Sequence, residues 1–147
     1  MTTFFAMLTE RGPTLALEKT LSFNQARLEM IAENVANAET PGYRTQQLDM
    51  RGFQRALRTA LEGRHGDPQE PLVIKSGREV ATDAQGFLRV TPSIKPVEHA
   101  LFHDGTNQSL ERQMAELAET GMTQEIASTL LRGRFESLRQ AIRGRMQ

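Results

Sequence analysis

Hydrophobic residues near the start of the chain recur at alternating steps of four and three. The row is Leu17, Leu21, Asn24, Leu28, Ile31, Val35 and Ala38. This spacing predicts a long helix with a coiled-coil seam, which begins near Pro13 and ends near Glu39. Asn24 interrupts the seam, and it either stays solvated or fixes the register and the number of partners.

The same helix has apolar side chains on a second face. Phe23 and Met30 point nearly opposite to Leu21 and Leu28, because two residues turn a helix by about 200°. A single partner helix covers only one face. Either another part of this chain or neighbouring subunits must therefore cover the second.

The middle of the chain has a different pattern. Residues 40–43, Thr-Pro-Gly-Tyr, predict a type II turn. A short amphipathic helix then ends at Gly63, with Met50, Phe53, Leu57 and Leu61 on one side. Residues 64–98 contain four prolines, which disfavour a helix. The stretches 72–74 and 87–91 predict the two arms of a hairpin, and residues 83–86 predict a turn.

Helical periodicity returns at Leu110 and continues to about Ile142. Its main row is Leu110, Met114, Leu117, Gly121, Gln124, Ser128, Leu131, Phe135, Leu138 and Ile142, and Met122, Ile126 and Leu130 form a second row. Two interior glycines, Gly121 and Gly133, each cost about 1 kcal/mol relative to alanine. We therefore expect this helix to need partners in order to form.

These patterns predict a mainly α protein. Its long N- and C-terminal helices would pair as an antiparallel coiled coil, with a small β/loop region in the centre. The predicted divisions are an N-terminal helical region at 1–63, a variable region at 64–109 and a C-terminal helix at 110–147. The two ends would form one discontinuous helical domain.

Composition narrows the possible functions of the 147 residues. The net charge is zero, which argues against a general nucleic-acid binder, and the chain has no cysteine, which excludes disulfides and thiol chemistry. The first residues lack the pattern of a secretory signal, and no apolar run is long enough to span a membrane. We therefore expect neither a cleaved signal peptide nor an integral membrane protein.

Charge is unevenly distributed along the C-terminal helix. Residues 104–125 contain five acidic residues and one arginine, whereas residues 131–147 contain five arginines and one glutamate. Three interpretations remain open: a solvated face that complements the helix dipole, contact between the acidic and basic halves of different subunits, and attraction to anionic lipids.

The sequence contains little that suggests catalysis. His99 and His103 are four residues apart, but Pro96 and the Asp104-Gly105 pair crowd this stretch, and no H-E-x-x-H, G-x-S-x-G or phosphate-loop motif is present. We expect no enzyme activity, no metal and no cofactor.

The segment from Ala32 to Arg44 has the strongest functional signal. Asn34, Val35, Ala36, Asn37, Thr40, Pro41, Gly42, Tyr43 and Arg44 match nearly every defining position of the N-terminal signature of flagellar rod and hook proteins. Asn34 and Asn37 lie on one helix face, so their amides can satisfy terminal carbonyls or reach a neighbouring helix. The chain thus resembles the flagellar basal-body rod family. Its short length, the Asp104-Gly105 pair and the closing helix resemble the proximal rod members.

The resemblance implies a structural subunit of the periplasmic rod. Such proteins are exported by the flagellar type III apparatus without a cleaved signal, and they polymerise helically on the inner-membrane ring. The implied partners are copies of the chain, other rod proteins, the ring or its adaptor, and the export apparatus. The residues expected to serve assembly are Leu21, Leu28, Ile31, Asn34, Val35, Asn37, Thr40, Pro41, Gly42, Tyr43, Leu131, Phe135, Leu138 and Ile142.

A soluble coiled-coil adaptor or export chaperone is the alternative. Its seam would look the same, but a generic coiled coil has no reason to carry the signature at residues 34–44.

Overall fold

The computed structural model of the chain describes residues 13–64, 71–94 and 105–144. The elements in chain order are α1 (Pro13–Ala36), β1 (Gln46–Gln47), α2 (Met50–Glu62), β2 (Val80–Thr82), β3 (Leu88–Val90), β4 (Ser93–Ile94) and α3 (Gly105–Gly144). These ranges are mostly helical with two small sheets, which confirms the coarse fold class. All three histidines lie outside them.

The two long helices, α1 and α3, pack against each other. Asn34 of α1 contacts Gln113, and Arg27 contacts Glu116 and Glu119. The buried residues of α1 that step by three and four are Leu17, Thr20, Asn24, Arg27, Ile31 and Asn34. This row shares Leu17, Asn24 and Ile31 with the predicted seam but is rotated away from Leu21 and Leu28, which are only half-buried. Supercoiling of the pair as a coiled coil stays a prediction.

The second apolar face of α1 is covered by the chain itself. The rings of Phe23 and Phe53 stack in parallel, with centroids 4.1 Å apart. Leu57 of α2 and Leu72 and Ile74 of the central region belong to the same buried cluster. Of the two alternatives for this face, the structure therefore supports cover from within the chain.

Helix α2 confirms the predicted short amphipathic helix. Asp49 is its N-cap, and the Asp49 Oδ1 atom accepts a hydrogen bond of 2.9 Å from the Gly52 backbone N–H. Phe53 and Leu57 are buried on the face that meets α1, and the helix ends at Glu62, immediately before Gly63. Its role is to supply the ring and the aliphatic side chain that cover Phe23.

The central hairpin corrects one predicted strand. Leu88–Val90 pairs with Val80–Thr82, with Val80 opposite Val90, and not with residues 72–74. Residues 72–74 form no strand, and the Ile74 N–H donates to the Thr82 hydroxyl oxygen at 2.9 Å. The turn at 83–86 is confirmed, with a positive φ of 87° at Gly86.

Two polar contacts hold the central region to the helices. The Glu79 carboxylate accepts hydrogen bonds from the Asp49 N–H at 2.6 Å and the Ser93 hydroxyl at 2.5 Å. The Lys19 ammonium donates to the Gly86 carbonyl in the hairpin turn. Burial lowers the pKa of Lys19, an effect that the carboxylates of Asp83 and Glu18 oppose. Hairpin and helix are therefore joined across 67 residues of sequence.

Helix α3 begins five residues before the predicted start, and Gly105 is its first residue. Thr120 and Ala127 are its buried residues, whereas Leu110, Met114, Phe135 and Ile142 of the predicted row are exposed. The face of α3 that meets α1 carries small side chains at its centre. It could therefore not be predicted from the positions of large hydrophobic residues. From Arg132 onward, every side chain that the structure describes is exposed.

We predict that Phe53→Ala destabilises the fold by about 3 kcal/mol, because it removes a fully buried ring and leaves the Phe23 ring without its stacking partner. Chemical denaturation followed by circular dichroism measures the change. Phe87→Ala is the matched control: Phe87 is 71% exposed, and its loss should change stability by less than about 0.5 kcal/mol. Equal losses in the two variants would contradict the described core.

Candidate functional site

The signature segment forms a helix end, a turn and a short strand. Helix α1 ends at Ala36, three residues before the predicted Glu39, because the Ala38 N–H turns back to the carbonyl of Val35 and the Thr40 N–H to that of Asn37. The Asn37 amide donates to the Glu33 carbonyl at 2.9 Å. The same carbonyl also accepts the Asn37 backbone N–H at 3.0 Å, so the side chain adds a second bond to the last turn of the helix.

The predicted turn follows directly. The Tyr43 N–H donates to the Thr40 carbonyl at 3.2 Å, and Gly42 has a positive φ of 77°. That conformation is the one required at the third position of a type II turn, and it favours glycine. The signature therefore needs Pro41 and Gly42 for the direction in which the chain leaves α1.

Asn34 lies at the centre of the site and is 4% exposed. Its Oδ1 atom accepts hydrogen bonds from the Gln46 N–H at 2.9 Å and the Tyr43 hydroxyl at 3.0 Å. Its Nδ2 atom donates to the Gln46 carbonyl at 2.9 Å and to Gln113 Oε1 at 3.4 Å. One amide thus connects α1, the turn, β1 and α3, and both of its polar atoms are used.

Gln46 shows what this arrangement achieves for the backbone. Its N–H and carbonyl both bond the Asn34 amide, while β1 pairs with β4, placing Gln46 opposite Ile94. An amide side chain can replace a strand partner because it offers one donor and one acceptor side by side. Asn34 therefore holds the segment after the turn against the helix that precedes it.

A shallow cleft opens beside Asn34. It is lined by Val35, Ala38, Tyr43, Leu110 and Gln113, so it lies where the end of α1 meets the first turns of α3. Leu110 is exposed at its edge. The cleft offers a surface of mixed polar and apolar side chains.

A row of polar residues is buried between α1 and α3. The Arg27 guanidinium, 7% exposed, lies 3.7 Å from the Glu116 carboxylate and 4.0 Å from that of Glu119. Asn24 is fully buried, and neither atom of its amide has a hydrogen-bond partner within the described ranges. The interpretation of Asn24 as a solvated residue is therefore wrong, whereas its role in register stays a prediction.

Sequence reasoning missed Thr20, Arg27 and Thr120 as members of the buried contact face. Leu17, Thr20, Asn24, Arg27, Ile31 and Asn34 do alternate in steps of three and four, so a signal existed in the spacing. It was hidden because four of the six positions are polar, and a seam of hydrophobic residues runs beside it.

The structure places the predicted assembly residues in three environments. Ile31 and Asn34 are buried, and the half-buried residues are Leu21, Leu28, Val35, Asn37, Tyr43 and Leu131. The exposed ones are Thr40, Pro41, Gly42, Phe135 and Ile142, and the side chain of Leu138 lies outside the described part. Asn34, Tyr43 and the turn are brought together, whereas Phe135 and Ile142 lie in the last turns of α3, away from them.

Comparison with known proteins gives a consistent result. Residues 15–44, which include the whole Asn34 site up to the turn, match the model of the "Flagella basal body rod protein" family. Over these residues the chain is similar to flagellar basal body rod proteins. Its relatives are of the FlgB type.

Three curated FlgB proteins illustrate the extent of the similarity. The flagellar basal body rod protein FlgB of Proteus mirabilis (strain HI4320) is 25% identical over 122 residues, which cover 82% of this chain and 86% of the relative. FlgB of Escherichia coli (strain K12) is 22% identical with the same coverage. FlgB of Salmonella typhimurium is 23% identical over 86% of this chain and 90% of its own length. No solved structure matches the chain significantly.

We predict that Asn34→Ala lowers the free energy of unfolding by about 2 kcal/mol, because it leaves the Gln46 backbone and the Tyr43 hydroxyl without their partner. Asn37→Ala, which removes an amide bonded only within its own helix end and turn, should cost about 0.5 kcal/mol. Denaturation gives both values, and amide exchange at Gln46 should accelerate in the first variant alone. Similar losses of unfolding free energy in the two variants would mean that Asn34 acts only as a cap of its own helix.

We also predict that the phenol of Tyr43 titrates above its ordinary pKa of 10.0. Burial raises this pKa, and the nearby Glu33 carboxylate raises it further. Tyr43 is the single tyrosine of a chain without tryptophan, so absorbance at high pH reports it alone. The midpoint should fall in Glu33→Gln.

The stability linked to Tyr43 follows from the sign of the shift. The native state favours the neutral phenol, so this contribution is complete below pH 10 and is lost as the pH rises through the higher native pKa. An unshifted midpoint in the folded protein would contradict the placement of the Tyr43 hydroxyl in a partly buried position near Glu33.

Proposed function

We propose that the protein is a structural subunit of the proximal rod of the bacterial flagellum, where it polymerises helically in the basal body and helps to transmit torque for motility. One observation carries the proposal: the family signature coincides with a buried amide that joins α1, the turn, β1 and α3. The FlgB relatives, matched along 82–86% of this chain, support the same role.

The proposed role is mechanical and needs no catalytic group or cofactor. Torque passes through a rod only if each subunit resists bending between its helices and its central region. Asn34, Glu79 and Lys19 supply such links, since each joins segments that are far apart in sequence. Pairing of α1 and α3 as an antiparallel coiled coil would stiffen the subunit further, and contacts of Asn34 with Gln113 and of Arg27 with Glu119 support this direction of pairing.

Surfaces left uncovered on the subunit would serve assembly. Leu21 and Leu28 lie at the edge of the buried face, and Phe135 and Ile142 are exposed on α3. The partners would be copies of the chain, other rod proteins and the inner-membrane ring or its adaptor, reached after type III export without a cleaved signal. No described helix is both long and apolar enough to cross a bilayer.

The adaptor or chaperone alternative explains less. A long helix pair suits either function, but a soluble adaptor does not require the Asn34 site or the turn at Pro41 and Gly42. No observation favours it over a rod subunit.

Deletion of the gene tests the proposal directly. We expect nonmotile cells whose basal bodies, viewed by electron microscopy, have membrane rings but no rod. Intact flagella in the deletion strain would overturn the proposed function.

A surface variant tests the edge of α1. Leu28 is half-buried and lies outside the hydrophobic cluster, so Leu28→Glu should leave the fold intact. We expect normal synthesis and export but no rod assembly and no swimming, because a charge would be trapped in a contact between subunits. Ser22→Glu, at an exposed position of the same helix, is the control. Normal swimming of the Leu28 variant would remove this edge from the interface.

A further inference from the structure

The last part of α3 forms a basic segment, which we define as residues 132–144. It carries four arginines and one glutamate, a net charge of +3. Phe135 and Ile142 are exposed there by 50% and 63%. The helix dipole favours cations only within the last turn, which holds Arg143 alone. Arg132 and Arg139 lie outside that turn, so the helix dipole does not account for their positions.

The opposite end of the helix pair is acidic. We define the signature end as residues 27–47 and 105–119, which contain six carboxylates and three arginines, a net charge of −3. Glu29, Glu33, Glu39 and Glu111 are exposed in it. Apolar surface accompanies the charge, because Leu110, at the cleft, is 39% exposed and Met114, one turn further along α3, is 45% exposed.

The two ends complement each other in charge and both have apolar side chains to bury. They cannot meet within one copy, because one continuous helix, α3, contains the basic segment and part of the signature end. We propose that the basic segment of one copy docks on the signature end of the next copy. The inference rests on the proposed function and names the contact that would join successive subunits.

Such a contact is heterologous, since it uses two different surfaces. Repeated head to tail, heterologous contacts form rings or open helical filaments. The rise of α3 is 1.5 Å per residue, so a basic segment of 13 residues extends about 20 Å along its axis. That length is enough to follow about three and a half turns of the signature end of a neighbour.

A second copy explains these surfaces better than two other occupants. An anionic membrane would match the basic segment but leave the acidic signature end without a partner. Residues 1–12 contain apolar side chains but only one acidic and one basic residue, Glu10 and Arg11. They would therefore offer the arginines no opposite net charge.

Cross-linking tests the contact in a chain that has no native cysteine. Two full-length variants, Ala38→Cys and Arg139→Cys, both at exposed positions, are produced together in a strain that lacks the native gene. Mild oxidation of isolated basal bodies should yield the mixed disulfide dimer. Gln85→Cys, exposed in the hairpin turn, replaces Ala38→Cys in the control pair and should give about tenfold less dimer. Equal yields would overturn the proposal.

Charge reversal tests the cause of the contact. Arg139→Glu with Arg143→Glu should reduce dimer yield in the purified Ala38→Cys and Gln140→Cys pair about tenfold, because attraction becomes repulsion. Adding Glu39→Arg and Glu111→Arg to the partner copy should restore it. Arg51→Glu with Arg58→Glu, two exposed sites on α2, should change nothing. Failure of the reversed pair to restore the yield would contradict the contact.

The two other possible occupants would give different experimental results. A disulfide within one copy of Leu8→Cys/Arg139→Cys, formed in place of the mixed dimer, would assign the basic segment to residues 1–12. Binding to phosphatidylglycerol vesicles that is lost in Arg139→Glu/Arg143→Glu, without mixed dimers, would assign it to a membrane. Rods and swimming in the charge-reversed strain would overturn the contact while leaving the proposed function intact, whereas basal bodies lacking the protein altogether would overturn both.

Discussion

The side-chain amide of Asn34 is the constraint on which the arrangement of the subunit depends. Pairing both polar atoms of a buried amide matters because each unpaired polar atom in the interior costs about 1–3 kcal/mol. Asn34 uses both on the Gln46 backbone, and it also contacts Tyr43 and Gln113. The turn must bring the chain back to within reach of that amide, and Pro41 and Gly42 are suited to this conformation.

The apolar core is arranged around the same exit from α1. Because the chain turns back there, α2 follows within a few residues and can place Phe53 flat against Phe23. Leu72 and Ile74 then cover the remaining surface, and the hairpin is held by Lys19. Both faces of α1 are thus occupied within one copy, which leaves the edge at Leu28 and the far part of α3 for other molecules.

Apolar periodicity predicted the elements whose burial is driven by large side chains. Phe53 and Leu57 marked α2 correctly, and the turns at residues 40–43 and 83–86 followed from Pro, Gly and Asp preferences. The contact face of α1 could not be read this way, because Thr20, Arg27 and Asn34 alternate there with Leu17 and Ile31. The strand partner of Leu88–Val90 was also missed, because the pairing runs to Val80–Thr82, whereas residues 72–74 meet Thr82 only through the Ile74 N–H and the Thr82 hydroxyl. The signature could be recognised in the sequence, whereas the hydrogen bonds that its residues form could be identified only in the folded structure.

Arg27 has a consequence for the dimensions of the molecule. Apolar residues would tolerate a slide of α3 along α1 by one heptad, about 10 Å, but Arg27 would then lie near Arg112 in one direction and near Ile126 in the other. Only the observed alignment offers it Glu116 and Glu119. The Arg27 ion pairs therefore fix the alignment of α1 and α3. Every copy then has the same length from its turn to the end of α3, and a regular tube requires subunits of equal length.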